Sequence, residues 1–237
     1  LMPGVLHMRH THLPEHKFVS GQPETGAEIA NDLERICENF GGENIAACIV
    51  EPVAGSTGCL VPPKGYLEKL REICDKHGIL LIFDEVICGW GRMGSVFASQ
   101  EFGVVPDMMT MAKATTNGVV PMGVVACKDE MYDAVMDAAP MGAVELFHGY
   151  TYSGIPVSVA AALAVQDIFE KEDIFNRVKG MVSYFQESIF SLKDLDSVAN
   201  IRGQGLMAGI DMKLNTKPGK AGFETFKACY EAGVNFK

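Results

Sequence analysis

The sequence predicts an α/β fold: a large domain built on a mostly parallel sheet, then the start of a smaller α+β domain. Three observations carry this. Residues 45–50, 79–83 and 108–112 are apolar almost throughout, as strands covered on both faces by helices are. Stretches of helical periodicity alternate with them, the pattern of a parallel sheet. After Glu172 the texture shifts to longer, charged amphipathic segments, which places a domain boundary there: residues 1–172, then 173–237.

In chain order, residues 1–24 are rich in Pro, His and Gly and read as an extended loop. Thr25 and Glu28 have capping-box spacing and open a helix that runs to Phe40, ended by Gly41-Gly42. The strand at 45–50 finishes at Glu51-Pro52, and 54–63 is a Gly/Pro loop. Residues 64–77 carry apolar side chains at helical spacing, with Gly78 as the cap. The strand at 79–83 closes on Asp84-Glu85; a glycine-rich turn (89–94) and a short helix (95–102) follow. The strand at 108–112 ends at Lys113, and a fourth strand covers 123–127. Next come a helix at 128–138, a long loop at 140–155, and a helix at 156–171, apolar nearly all round and so expected to be buried. The smaller domain reads as a helix at 174–193, one strand at 201–212, a turn at 216–219 and a helix at 221–232.

Composition narrows the function. The chain of 237 residues carries a net charge of −10, which argues against a nucleic-acid or anionic-membrane partner. No apolar run approaches the roughly 18–20 residues of a membrane span. Seven scattered cysteines without C-x-x-C spacing read as reduced thiols of a cytoplasmic protein. Four early histidines, at positions 7, 10, 12 and 16, lack the acids and second shell of a metal site and read as loop residues. The chain begins at Leu1 and closes on GVNFK, which reads as a strand cut short, so it is expected to be part of a longer protein.

Glu51, Asp84 and Lys113 all fall at carboxyl ends of expected strands, where open parallel sheets bind ligands. Taken alone, Lys113 reads also as a lysine snorkelling from a strand end, and Asp84 as a cap on the next turn. Together they fit the two ends of pyridoxal 5′-phosphate. A desolvated lysine amine bonds the aldehyde, and an acid holds the ring nitrogen protonated.

Five blocks extend this: IAACIVEPVAGSTG at 45–58, VPPKGYLEKLREICDKHGILLIFDEVICGWGRMG at 61–94, FGVVPDMMTMAKATTNGVVPMG at 102–123, HGYTYSGIPVSVAAALA at 148–164 and IRGQGLMAGI at 201–210. In order and spacing they resemble the class III aminotransferases of the fold-type I pyridoxal-phosphate enzymes, and within them the ω-amino acid–pyruvate branch. The resemblance implies a transaminase moving an amino group from an ω-amino acid such as β-alanine to pyruvate, working as a homodimer or dimer of dimers. It implies that Lys113 bonds the cofactor and shuttles the proton, that Asp84 meets the ring nitrogen, and that Val86 packs on the ring. Thr151 resembles the threonine that reaches the phosphate of a neighbouring subunit, and Glu51 a supporting acid. Arg202 resembles a structural strand residue rather than a carboxylate clamp.

Ser56 and Ile87 stand where ornithine- and 4-aminobutyrate-type members carry glutamate and glutamine, which favours the pyruvate branch. Cys88, Trp90 and Ile155 also depart from the commoner pattern, at positions the resemblance gives no cofactor role. Lys237 falls about where that branch often has an arginine for the substrate carboxylate, and the family's N-terminal phosphate-cradling portion has no counterpart here. Two alternatives stay open: another class III activity (a diamine or 4-aminobutyrate transaminase, an aminomutase), or a truncated, non-catalytic chain.

Overall fold

The computed structural model describes residues 3–142, 146, 148–213 and 217–236. Its elements in chain order are β1 (Val19–Ser20), α1 (Asn31–Phe40), β2 (Ala47–Val50), α2 (Tyr66–His77), β3 (Leu80–Asp84), α3 (Ala98–Phe102), β4 (Met108–Met111), β5 (Val124–Cys127), α4 (Asp129–Asp137), α5 (Pro156–Lys171), α6 (Ile174–Phe190), β6 (Val198–Gln204), β7 (Met207–Met212) and α7 (Lys220–Glu231).

One sheet has the order β2-β3-β4-β5. β2 pairs parallel with β3, and β3 with β4; β5 joins as an antiparallel edge strand. The expected mostly parallel sheet is therefore present. Its core lies against α1 and α2, where Leu67, Leu70, Cys74, Leu81 and Phe83 are fully buried. Gly78, left-handed at φ 69°, ends α2 as its sequence implies.

Among the described residues, helices do not cover both faces of this sheet. Successive strand side chains point to opposite faces; on β3, Leu81 and Phe83 are buried and Leu80 and Ile82 half-buried, while Ile49 on β2 and Val125 on β5 are exposed. The same holds for α5. Its bounds match expectation, but Val157, Leu163 and Ile168 face outward, and among its described residues only Ser158 and Ala162 are buried.

The other sheet has the order β1-β6-β7. Two expectations change here. The segment read as one strand over 201–212 is a hairpin, turned at Gly205, whose φ of 59° suits glycine. The loop read over 1–24 contributes β1, parallel to β6 through Val19 opposite Arg202. The Thr25 capping box also fails. Gly26, left-handed at φ 111°, starts a 3-10 turn at Ala27–Ala30 without a side-chain cap, and Thr25 Oγ1 lies 3.5 Å from His16 Nε2 instead. The strand expected in GVNFK is absent among its described residues. Gly233 turns the chain, and the Val234 N–H bonds back to Cys229 O. Lys237 and Thr216 lie outside the described residues.

Candidate active site

Parallel pairing lines up the carboxyl ends of the first sheet. The last β2–β3 pair is Val50 opposite Phe83, so Glu51 and Asp84 follow side by side. Asp84 stands opposite Thr110 on β4, and Lys113 comes three residues later, opening a 3-10 turn at Lys113–Thr115. Strands in a sheet lie roughly 5 Å apart. The structure thus brings Glu51, Asp84 and Lys113 to one edge of the sheet, as their places in the sequence imply.

Lys113 leaves the strand with φ 45°, a left-handed conformation rare in non-glycine residues. Such outliers concentrate at functional sites, where surrounding structure enforces them. The turn is held by buried threonines. Thr115 N–H and Oγ1–H both donate to Ala112 O at 2.9 Å, and Thr116 Oγ1–H donates to Val120 O at 2.6 Å. One expectation is corrected here: Lys113 is exposed in this chain, not desolvated, at the start of a turn whose Asn117, Gly118 and Val119 are exposed as well.

Asp84 uses Oδ1 to accept the Val86 N–H at 3.0 Å. That bond bends the chain directly after the strand and fixes where Val86, half-buried, presents its side chain. Glu51 does comparable work on the neighbouring loop: its Oε2 accepts the Gly55 N–H at 2.9 Å. The two loops then lock together. A Cβ on Gly55 would lie 2.8 Å from Ile87 Cδ1, and Cys88 Sγ donates to Val53 O at 3.2 Å. Burial raises the Cys88 thiol to about 12, so it stays protonated.

Thr151 is not gathered into this group. It is exposed, in a turn where the Tyr150 N–H donates to Ser153 Oγ, and no described contact ties it to Asp84 or Lys113. Arg202 behaves as the structural residue expected: buried, paired with both oxygens of Asp211 at 2.6 and 3.0 Å, and donating to Gly58 O.

Several residues escaped the sequence. Glu85 is fully buried and accepts the Ala98 and Ser99 N–H groups, capping α3 with both carboxylate oxygens. Burial raises its pKa, against those bonds. Asp107 accepts from Leu81 N–H, Arg71 and Lys128. Burial opposes its ionisation, but these donors outweigh it and hold the carboxyl at about 2. Trp90 donates its indole N–H to Thr115 Oγ1 at 3.0 Å, in the Lys113 turn itself. An aspartate or glutamate beside a strand end gives no sign of which backbone amides it will meet, and a tryptophan in a glycine-rich turn reads as packing.

With this geometry in view, comparison with known proteins is informative. Residues 2–237 match the family Aminotransferase class-III. The "Omega-aminotransferase" of Caulobacter vibrioides is 52% identical over 99% of this chain and 54% of its own length. The "Beta-alanine--pyruvate aminotransferase" of Pseudomonas aeruginosa is 47% identical over 87% of this chain and 46% of its own. Among solved structures, the omega transaminase from Pseudomonas jessenii in complex with PMP superposes with a TM-score of 0.87 at 32% identity, covering 99% of this chain and 53% of that one. The chain therefore spans about half the length of the relatives it matches.

Proposed function

Because this chain belongs to the class III aminotransferases and has their fold-type I architecture, we propose that it is part of a pyridoxal-phosphate transaminase. The reading takes an ω-amino acid such as β-alanine as donor and pyruvate as acceptor. The single observation carrying it is the alignment of Asp84 and Lys113 on adjacent strand ends, with Lys113 in a left-handed turn. The names of the relatives support the choice of donor and acceptor.

The donor set suits the cofactor: a primary amine, a carboxylate with one oxygen already oriented, and an apolar side chain between them in sequence. Bound pyridoxal 5′-phosphate supplies an aldehyde and an electron-accepting ring. Lys113 Nζ would hold the aldehyde end at rest and, once displaced by the donor's amine, would be free to move a proton at the amine-bearing carbon of the donor. The Asp84 carboxylate, steadied through Oδ1 by the Val86 N–H, holds the proton on the ring nitrogen. Val86 would face the ring, and Glu51 would support the site by keeping the 51–55 loop in place. Thr151, exposed on its turn, would be free to reach the phosphate bound by a second copy of the enzyme, as a homodimer requires. Residues 1–172 are read as part of the cofactor domain, apart from β1, which pairs with β6, and 173–237 as the start of a smaller one.

Among the described residues no helix is long and apolar enough to cross a membrane. Five of the seven cysteines are buried and free, which supports a reducing, cytoplasmic setting. The test is a transamination assay of the complete enzyme carrying this segment. Alanine formed from β-alanine and pyruvate supports the reading; turnover with diamines or 4-aminobutyrate alone would reassign the donor.

A further inference from the structure

Trp90 is a bulky residue in a left-handed conformation, with φ 60°. Such a conformation persists in a large side chain only where its surroundings demand it. Here the surroundings are a cluster of tilted aromatic rings. The Trp90 indole lies 5.2 Å from the Phe97 ring and 5.8 Å from Phe169 on α5, and Phe169 in turn packs 5.2 Å from Phe175 on α6. The glycines beside it permit this fit. A Cβ on Gly89 would lie 2.8 Å from Glu85 O and 3.2 Å from Phe97, and one on Gly91 would lie 3.2 Å from Phe175.

The cluster aims one polar atom. An indole nitrogen can only donate, and it does so to Thr115 Oγ1 at 3.0 Å. The hydroxyl proton must then point elsewhere, and it reaches Ala112 O at 2.9 Å. Ala112 is the residue immediately before Lys113, and Thr115 is 3% exposed. A directed relay therefore runs from helices α5 and α6, through one indole and one hydroxyl, to the peptide from which Lys113 departs. Hydrogen bonds in such a chain polarise one another, and both meet at the buried Thr115 hydroxyl.

We propose that Trp90 is a positioning residue for Lys113: through Thr115 it fixes the left-handed turn that sets the direction of the lysine amine. The proposal rests on the reading of Lys113 as the cofactor lysine. It assigns a task to a position that family resemblance leaves without one. It also couples α5 and α6 to the reacting end of the site, so movement of those helices changes the presentation of Lys113.

The test uses the complete holoenzyme carrying this segment. Trp90→Phe keeps a ring and deletes the donor; Thr115→Val deletes the relay; Thr115→Ser retains it. Amide hydrogen exchange at Thr115 and Thr116 is compared with Met109 and Thr110 on β4 as an internal reference. Loss of one buried hydrogen bond predicts exchange about five- to tenfold faster at Thr115 and Thr116 in both deletions. The double variant should be no worse than either single one, kcat should fall with KM little changed, and Thr115→Ser should behave as the parent. Unchanged exchange in Trp90→Phe overturns the proposal, as does an equal rise at Met109 and Thr110, which marks general loosening. Faster exchange at the turn with native kcat overturns it too. Borohydride mapping of the unaltered enzyme separates the two failures: a pyridoxyl group on another lysine strikes the reading of Lys113, not the exchange result.

Discussion

Asp84 stands directly opposite Thr110 in the parallel β3–β4 ladder, and Lys113 begins its turn three residues beyond Thr110. One register therefore sets the spacing of an acid and an amine. A shift of one residue would turn every side chain of β4 to the other face, and the antiparallel pairing of Thr110 with Val125 on β5 guards against it from the other side.

Replacing Asp84 with Asn keeps shape and the Oδ1 acceptor for Val86, so the fold should be unchanged. On the proposed reading, the charge that would hold a ring nitrogen protonated is lost. A charge-assisted hydrogen bond contributes about 1.5–3 kcal/mol, so turnover should fall at least about 10- to 100-fold. Steady-state kinetics beside a thermal melt checks this, and near-native rates would refute the role of Asp84.

Glu85 yields a stability prediction. Glu85→Ala leaves the Ala98 and Ser99 N–H groups at the start of α3 without their acceptor, inside a buried site. The expected loss is about 2–4 kcal/mol. Glu85→Gln keeps one acceptor oxygen and sheds the burial cost of the charge, so it should lose less. Urea denaturation of the two variants gives the order directly, and equal midpoints for Glu85→Ala and the parent would contradict it.

Asp107 predicts a pH dependence. Its folded pKa, about 2, lies below the ordinary carboxylate value of 3.8. The stability it contributes is therefore present above about pH 4 and is lost as pH falls towards 2. That contribution is about 2 kcal/mol. Asp107→Asn should lower stability at pH 7 by at least that amount and flatten acid denaturation between pH 4 and 2. The readout is the midpoint of urea unfolding measured at several pH values.

How far the sequence carries can be judged residue by residue. β3 and β4 are legible because their apolar runs are long and bounded, and the places of Asp84 and Lys113 at strand ends follow from where those runs stop. α5 was legible in extent but not in burial, since an apolar helix states its own hydrophobicity and not which surface meets it. The β6–β7 hairpin was missed because Gly205-Leu206 sits within a pattern that continues across it. The bonds of Trp90 and Glu85 are not legible because their partners, Thr115 and the α3 amides, are set by tertiary packing. Val86 and Glu51 fall between: their positions were readable, but their backbone bonds were not.

The central claim is that Lys113 is the lysine that holds the cofactor. The complete enzyme carrying this segment, loaded with pyridoxal 5′-phosphate, reduced with borohydride and digested, reports this by peptide mass mapping. The expected result is a single pyridoxyl-modified peptide containing MAKATTNG, with Lys113 as the modified residue. Stoichiometric modification of Lys64 or Lys128 with Lys113 unmodified would contradict the account.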